Sequence, residues 1–224
     1  MGPQQSHRGG AAIVAMLLLS PLISLVINRA LDHSWHQQNG PRVPVVAPGH
    51  WLFTLSTVLV VVIGAVLAVW LMRRQRHPGR RARQLLKLLG AITTLQALLN
   101  GALVLIAISF LKLGSVELLL IGTGLYGVLN AIALFWYWCL DHPGFGSGLQ
   151  QACVRRGTVS FPEGESGGSF LDYLYLTVLS SNTLGPPENH QLFGAPTKLL
   201  ALGQSSVMMA LLVIVVARAI NTLG

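Results

Sequence analysis

The residues whose types and spacing could do chemistry lie in one short segment, Thr183-Leu184-Gly185-Pro186-Pro187-Glu188. Backbone carbonyls, the Thr183 hydroxyl and the Glu188 carboxylate offer only oxygen atoms, and rings of such oxygens favour cations. No spacing in the chain predicts a Ser-His-Asp arrangement, a pair of catalytic carboxylates or a phosphate-binding loop. The sequence therefore predicts contact with permeant monovalent cations, and neither an enzyme nor a cofactor is expected.

The segments on either side of this polar turn differ in length. Phe170–Ser181 is apolar and aromatic, and as a helix it would be roughly 18 Å long at ~1.5 Å per residue. Because a bilayer core is ~30 Å thick, we expect this helix to re-enter the membrane or to lie at its surface. Pro196–Leu223 is long enough to cross. A short helix, a polar loop and a full helix are the parts from which a tetrameric channel builds its pore.

The same residues resemble the pore module of the potassium-channel superfamily. Thr183 to Glu188 align without a gap with the filter pattern TVGYGD, and Thr183 and Gly185 are identical to it. The resemblance covers residues 141–224 and implies a pore helix, a filter, an inner helix and a homotetramer. It implies that the filter consists of Asn182, Thr183, Leu184, Gly185, Pro186, Pro187 and Glu188.

Two residues depart from that pattern, since Pro186 and Pro187 stand where the family has Tyr and Gly. The filter glycine needs left-handed backbone angles, and proline has φ fixed near −65°. A channel built on this turn is therefore expected to select weakly or unusually among cations. The alternative is that Gly-Pro-Pro merely ends a re-entrant helix in a structural or accessory membrane protein that conducts nothing.

The C-terminal part also resembles bacterial membrane proteins that carry a DYLYL…T…ARAIN ending, here Asp172 to Asn221. That resemblance implies a multi-pass protein of a bacterial inner membrane and supplies no activity. Asp172 itself has a simpler explanation, because a carboxylate in the first turn of a helix, with Ser169 as the cap, is favoured by the helix dipole.

Three polar residues of the last apolar segment, Gln204, Ser205 and Ser206, are expected to line a cavity, because polar side chains in a spanning helix usually face a bundle interior or water. Glu188 has two interpretations that stay open. Four copies around an axis would form an acidic ring that attracts cations to a pore mouth. A single copy would be an exposed loop acid.

Composition predicts an all-α integral membrane protein. Hydrophobic residues make up 52% of the chain and charged residues 10%, against roughly 25% charged residues in soluble domains. Five stretches reach the ~20 residues of a spanning helix: Ala11–Leu31, Trp51–Met72, Leu85–Leu111, Val116–Leu140 and Pro196–Leu223. We expect five spanning helices and one re-entrant pore helix. Residues 1–140 would form a four-helix region, and residues 141–224 a pore-like module.

Basic residues concentrate in one linker: Arg73, Arg74, Arg76, Arg80, Arg81, Arg83 and Lys87. Short loops rich in Lys and Arg stay in the cytoplasm, and beside a membrane their nearest partners are anionic lipids rather than nucleic acid. With this linker inside, the amino terminus is cytoplasmic and the polar turn enters from the cytoplasm. The alternative is that the polar turn enters from outside the cell, as the filter loop of potassium channels does. The basic linker would then also lie outside.

Two further patterns have ordinary explanations. Gly122-Thr123-Gly124-Leu125-Tyr126-Gly127 fits the dinucleotide fingerprint GxGxxG, but it lies in an apolar segment, so it predicts small residues for close helix packing. Asp32, His33 and His36 could offer metal ligands. Because no fourth ligand stands nearby, a solvated loop is favoured and no metal site is expected.

The charge pattern gives a testable topology. Reporter fusions after Lys87 and after Gly167 should both report the cytoplasm, because two spanning segments separate these positions and the basic linker fixes the first. Opposite sides for the two fusions would mean that one of the two intervening segments does not cross.

Overall fold

Helices dominate the part of the chain that the computed structural model describes: residues 3–39, 57–66, 80–110, 113–141, 158–161, 169–183 and 185–223, with Leu55 and Val69. The helices are α1 (Pro3–Asn39), α2 (Thr57–Val66), α3 (Arg80–Phe110), α4 (Ser115–Asp141), α5 (Phe170–Thr183) and α6 (Ala195–Leu223). The strands β1 (Val159–Ser160) and β2 (Gln191–Leu192) form one antiparallel pair.

Four of the described helices are long and apolar enough to cross a membrane: Ala12–Ser34 of α1, Gln84–Ile108 of α3, Ser115–Asp141 of α4 and Ala195–Arg218 of α6. The predicted all-α class, and a chain suited to a membrane, are confirmed at this level. The fifth predicted span, Trp51–Met72, is described chiefly over α2, which is shorter than a span, so it stays a prediction.

Helix α4 is the centre of the bundle. It packs against α1, α3, α5 and α6, and more of its length is buried than of any other candidate span. Helix α1 runs antiparallel to α4, because Gly10 lies against Trp138 whereas Ile27 lies against Gly124. We call the two ends of the bundle the Asp141 end and the Gly114 end, after the residues that lie there.

Helices α3 and α6 run in the same direction as α1. In α3, Gly90 lies against Phe135, and Asn100 accepts a hydrogen bond of 2.6 Å from Asn28. In α6, Val215 lies against Gly122 of α4. All three helices therefore begin at the Asp141 end and finish at the Gly114 end.

A proline inside α1 shows how the apolar setting constrains the backbone. Pro21 has no N–H, so the carbonyl of Leu17 loses its partner one turn later. The Ser20 hydroxyl donates to that carbonyl at 2.7 Å. Because lipid offers no hydrogen bonds, this local repair lets a proline stand in a helix that is apolar enough to span a membrane.

The residues expected in a solvated loop after the first span are helical instead. Helix α1 continues to Asn39, so Asp32 and His33 lie on its last turns, and Gln37 Nε2 lies 3.0 Å from His33 Nε2. Residues four apart face each other on a helix, and such polar pairs support its exposed end.

Two glycines of α3 provide a matched test of the packing. A methyl group at Gly90 would overlap the Phe135 ring, whereas one at Gly101 would meet nothing within 4 Å. We expect Gly90→Ala to cost about 1–3 kcal/mol through overpacking. Gly101→Ala should be neutral or slightly stabilising, because alanine is the better helix former. Thermal unfolding in detergent measures both, and equal effects would contradict the α3–α4 contact.

Candidate functional site

The first turn of α5 is fixed by a reciprocal cap. The Asp172 carboxylate accepts a hydrogen bond of 2.6 Å from the Ser169 backbone N–H, and the Asp172 N–H lies 3.4 Å from the Ser169 hydroxyl. This satisfies donors that the start of a helix leaves unpaired. The capping role predicted for these two residues is confirmed.

One buried carboxylate joins three elements at the Asp141 end. Asp141, the last residue of α4, accepts hydrogen bonds from the Val159 N–H at 2.9 Å, from the Thr158 hydroxyl at 3.4 Å and from the Tyr173 hydroxyl. Asp141 is 3% exposed and Tyr173 is fully buried. A buried carboxylate is costly unless donors surround it, so the arrangement fixes β1 and the start of α5 to the end of α4.

The chain that leaves α5 returns to this carboxylate. In the β1–β2 pair Val159 lies opposite Leu192, and the Phe193 N–H donates to the Thr158 carbonyl at 2.8 Å. The chain after the polar turn is therefore hydrogen-bonded to residues that Asp141 holds. Both the start of α5 and the chain that follows the turn depend on one side chain.

A tight turn precedes β2. The His190 N–H donates to the Pro187 carbonyl at 3.1 Å, and Asn189 has φ of 66°, a left-handed angle that asparagine tolerates. The His190 ring packs edge-on against Phe161, with centroids 5.7 Å apart, and lies 5.9 Å from the ring of Tyr175. These aromatic contacts anchor the turn to β1 and α5.

The other end of α5 lies beside the middle of α4. Asn182, in the last turn of α5, accepts a hydrogen bond of 2.9 Å from the hydroxyl of Tyr126, near the midpoint of the 27-residue α4. Thr183 Oγ lies 2.8 Å from the Leu179 carbonyl and 2.9 Å from the Gly185 carbonyl. A hydroxyl has one proton, so it can donate to only one of these carbonyls at a time.

Polar side chains connect α4, α5 and α6 in the interior. The Ser181 hydroxyl lies 2.8 Å from Asn130 Oδ1, and Gln204 Nε2 donates to the Thr177 carbonyl at 2.9 Å and to Ser181 Oγ at 2.7 Å. Ser205 Oγ lies 3.5 Å from the Ser180 carbonyl. These contacts hold α5 between its neighbours, because each polar group would otherwise lie unpaired among apolar side chains.

A few polar atoms near this network lack a partner. Among the described residues, Gln204 Oε1 accepts no hydrogen bond. The hydroxyls of Tyr137 and Ser180 lie near each other and reach no other group there.

The predicted filter residues occupy different surroundings. Asn182, Thr183, Pro186 and Glu188 are exposed, Gly185 is half-buried and Pro187 is buried. Leu184 lies outside the described residues. The resemblance to a filter therefore stays a prediction.

The predicted cavity and lipid residues are also distributed unevenly. Of the three cavity candidates, Gln204 and Ser205 are buried against α5, and Ser206 is exposed. The basic residues proposed to meet lipid fall into two groups. Arg73, Arg74 and Arg76 lie outside the described residues, and Arg80, Arg81 and Arg83 belong to the first turns of α3, with side chains outside the description.

Sequence reasoning missed Asp141, Tyr173 and Tyr126. An acid at the very end of a long apolar segment is a signal that could have identified Asp141, because it needs a partner there. Tyr126 carried no such signal, since its partner Asn182 is distant in sequence and was interpreted only as part of the filter.

Comparisons with family models, with curated proteins and with solved structures find no match to this chain.

The Asp141–Tyr173 contact can be measured by a double-mutant cycle. Asp141→Asn and Tyr173→Phe should each destabilise the protein in detergent, and the double variant should cost less than their sum by about 1–3 kcal/mol. Tyr175→Phe is the matched control, because Tyr175 is an exposed tyrosine of the same helix that keeps its ring against His190. Additive effects of Asp141→Asn and Tyr173→Phe would contradict the coupling.

Proposed function

We propose that this chain assembles around a symmetry axis, with four copies as the favoured number, and that α5 and the turn after it form a cation-conducting pore. The observation that carries the proposal is the position of α5. Its start is bound to Asp141 at one end of α4, its last turn meets Tyr126 near the middle of α4, and β2 lies again beside Asp141.

Length supports a re-entrant α5. Its 14 residues correspond to roughly 21 Å at ~1.5 Å per residue, which is shorter than the ~30 Å hydrocarbon core. A polar turn at membrane depth needs protein or water around it, because lipid cannot satisfy backbone groups. A pore axis is a place that supplies water, and exposed Asn182, Thr183 and Glu188 would face it.

Electrostatics supports cations as the permeant species. The carboxyl end of a helix carries a partial negative charge of about −0.5 elementary charge, and α5 directs that end toward the middle of the bundle. The exposed Glu188 adds a full negative charge in the turn before β2. Pro186 and Pro187 leave fewer carbonyl rings than a potassium filter has, so we expect weak discrimination between potassium and sodium.

The directions of the helices support five spans. Helix α1 finishes at the Gly114 end and α3 begins at the Asp141 end. We propose that Trp51–Met72 crosses between them, with α2 as its described part. The basic residues before and within the start of α3 would then place the Asp141 end in the cytoplasm against anionic lipids, so that the amino terminus and the polar turn lie on that side.

The rival function is a non-conducting structural or accessory membrane protein. The observation that favours it is that Gln204 Nε2 and Ser205 Oγ of α6 are directed toward α5 in the same chain. Polar groups of α6 that are hydrogen-bonded within one chain do not line a cavity shared between copies. Of the three predicted cavity residues, Ser206 is the one that is exposed.

Two measurements separate the functions. In mild detergent, the pore requires an oligomer, and a monomer would favour the structural role. In reconstituted bilayers under a potassium–sodium gradient, we expect cation currents. Their reversal potential should lie far from the potassium equilibrium potential, because the pore distinguishes the two ions poorly. A strong potassium preference would contradict the argument from Pro186 and Pro187.

Replacing Glu188 tests whether the turn lies at the pore mouth. Glu188→Gln should lower cation conductance by roughly two- to fivefold at low salt, because a unit charge a few ångströms away in water contributes up to about 1 kcal/mol. The effect should fade at high salt through screening. Asp172→Asn is the control, since it removes the same charge from an exposed acid of α5 and keeps an oxygen for the cap. Equal losses of conductance in both variants would show that Glu188 does not lie at the pore mouth.

A further inference from the structure

Helix α5 covers only half of the α4 face against which it packs. Its contacts with α4 run from Asp141 through Asn130 to Tyr126. Beyond Tyr126 toward the Gly114 end, Thr123 is exposed on the same side of α4, one turn away. Among the described residues, this part of the α4 face is left open below the end of α5.

The three glycines of α4 differ in what lies beside them, and Gly127 lies on the open side. Gly122 and Gly124 pack closely, since added Cβ atoms would lie 3.3 Å from Val215 and 2.8 Å from Ile27. A Cβ at Gly127 would meet nothing within 4 Å. The close packing predicted for the GxGxxG pattern therefore holds for its first two glycines, and the third borders open space beside Tyr126.

Polar groups converge on that space. A helix leaves its last four carbonyls without intrahelical partners, and α5 ends here with Asn182 and Thr183 exposed. Thr123 adds a hydroxyl from α4. Carbonyls and polar side chains at membrane depth are stable only against protein or water, so hydrocarbon chains are unsuited to fill this space.

We infer that the open space is a water-filled vestibule, lined by α4 and α5, through which hydrated monovalent cations reach the polar turn from the Gly114 end. Its walls are Thr123, Tyr126 and Gly127 of α4 with Asn182 and Thr183 of α5. The inference rests on the proposed pore and names α4 as a lining helix, where the sequence predicted α6 alone. The Tyr126–Asn182 hydrogen bond forms its narrow end.

Cysteine labelling tests the vestibule without requiring current. Thr123→Cys and Gly127→Cys are introduced into a chain whose own Cys139 and Cys153 are replaced by alanine. The protein is then treated in membranes with a small charged methanethiosulfonate. Thiolates react in water and not in hydrocarbon, so both positions should react at least about tenfold faster than the controls.

The controls are Leu99→Cys and Gly101→Cys of α3. Leu99 is 60% exposed, and Gly101 has nothing within 4 Å of an added Cβ. Their neighbour Asn100 bonds to Asn28, and Ile27 lies against Gly124, so the controls lie at a depth similar to that of the test positions. The control and test positions therefore have similar free space around the added side chain. The expected difference between them is contact with water.

The outcomes separate this inference from the pore itself. Fast labelling of Thr123→Cys and Gly127→Cys in a protein that conducts nothing would support the vestibule and contradict the proposed pore. Cation current with labelling no faster than at Leu99→Cys would overturn the vestibule and leave the pore. Slow labelling in a non-conducting protein would overturn both.

Discussion

Lipid gives no hydrogen bonds, and the interior of this bundle is organised around that constraint. Several buried polar groups of the apolar helices are paired within the chain, as Ser20 is with the Leu17 carbonyl, whereas Gln204 Oε1 has no partner among the described residues. The most consequential pairing is at Asp141, whose carboxylate gathers β1 and Tyr173 at the end of α4. Without it, the short α5 would lose the contact that holds its start against the end of α4.

The same constraint divides the polar residues of the C-terminal half into two sets. Ser181 is hydrogen-bonded to both Asn130 and Gln204 inside the chain, and these contacts hold α5 in place. Asn182 and Thr183 finish α5 on the exposed side, where Asn182 contacts Tyr126 and the Thr183 hydroxyl contacts backbone carbonyls, while both residues also face out of the chain. The first set explains how a helix shorter than a span is held against α4 and α6, and the second is the reason for proposing water beside it.

Much of the architecture follows from the sequence, because long apolar segments and helix caps are local properties. Residues 116–140 predict α4 to within a residue at each end, and Ser169 with Asp172 predicts the start of α5. The pairings at Asp141 and Tyr126 could not be predicted, since they join residues that are far apart in the chain and no periodicity encodes such partners. The sequence also could not predict which way the Gln204 side chain is directed. A polar residue in a spanning helix can face a neighbouring helix as well as a cavity.

The central claim is that α5 enters and the chain turns back on one side of the membrane. Side-specific labelling with an impermeant thiol reagent tests it, with cysteines at Ser169 and at Gln191 in a chain lacking Cys139 and Cys153. These positions flank α5, and both neighbour residues that are hydrogen-bonded at the Asp141 end. The account predicts that both label from the same side, opposite to Glu117→Cys at the start of α4. Labelling of Ser169→Cys and Gln191→Cys from opposite sides would contradict it, because α5 would then cross the membrane.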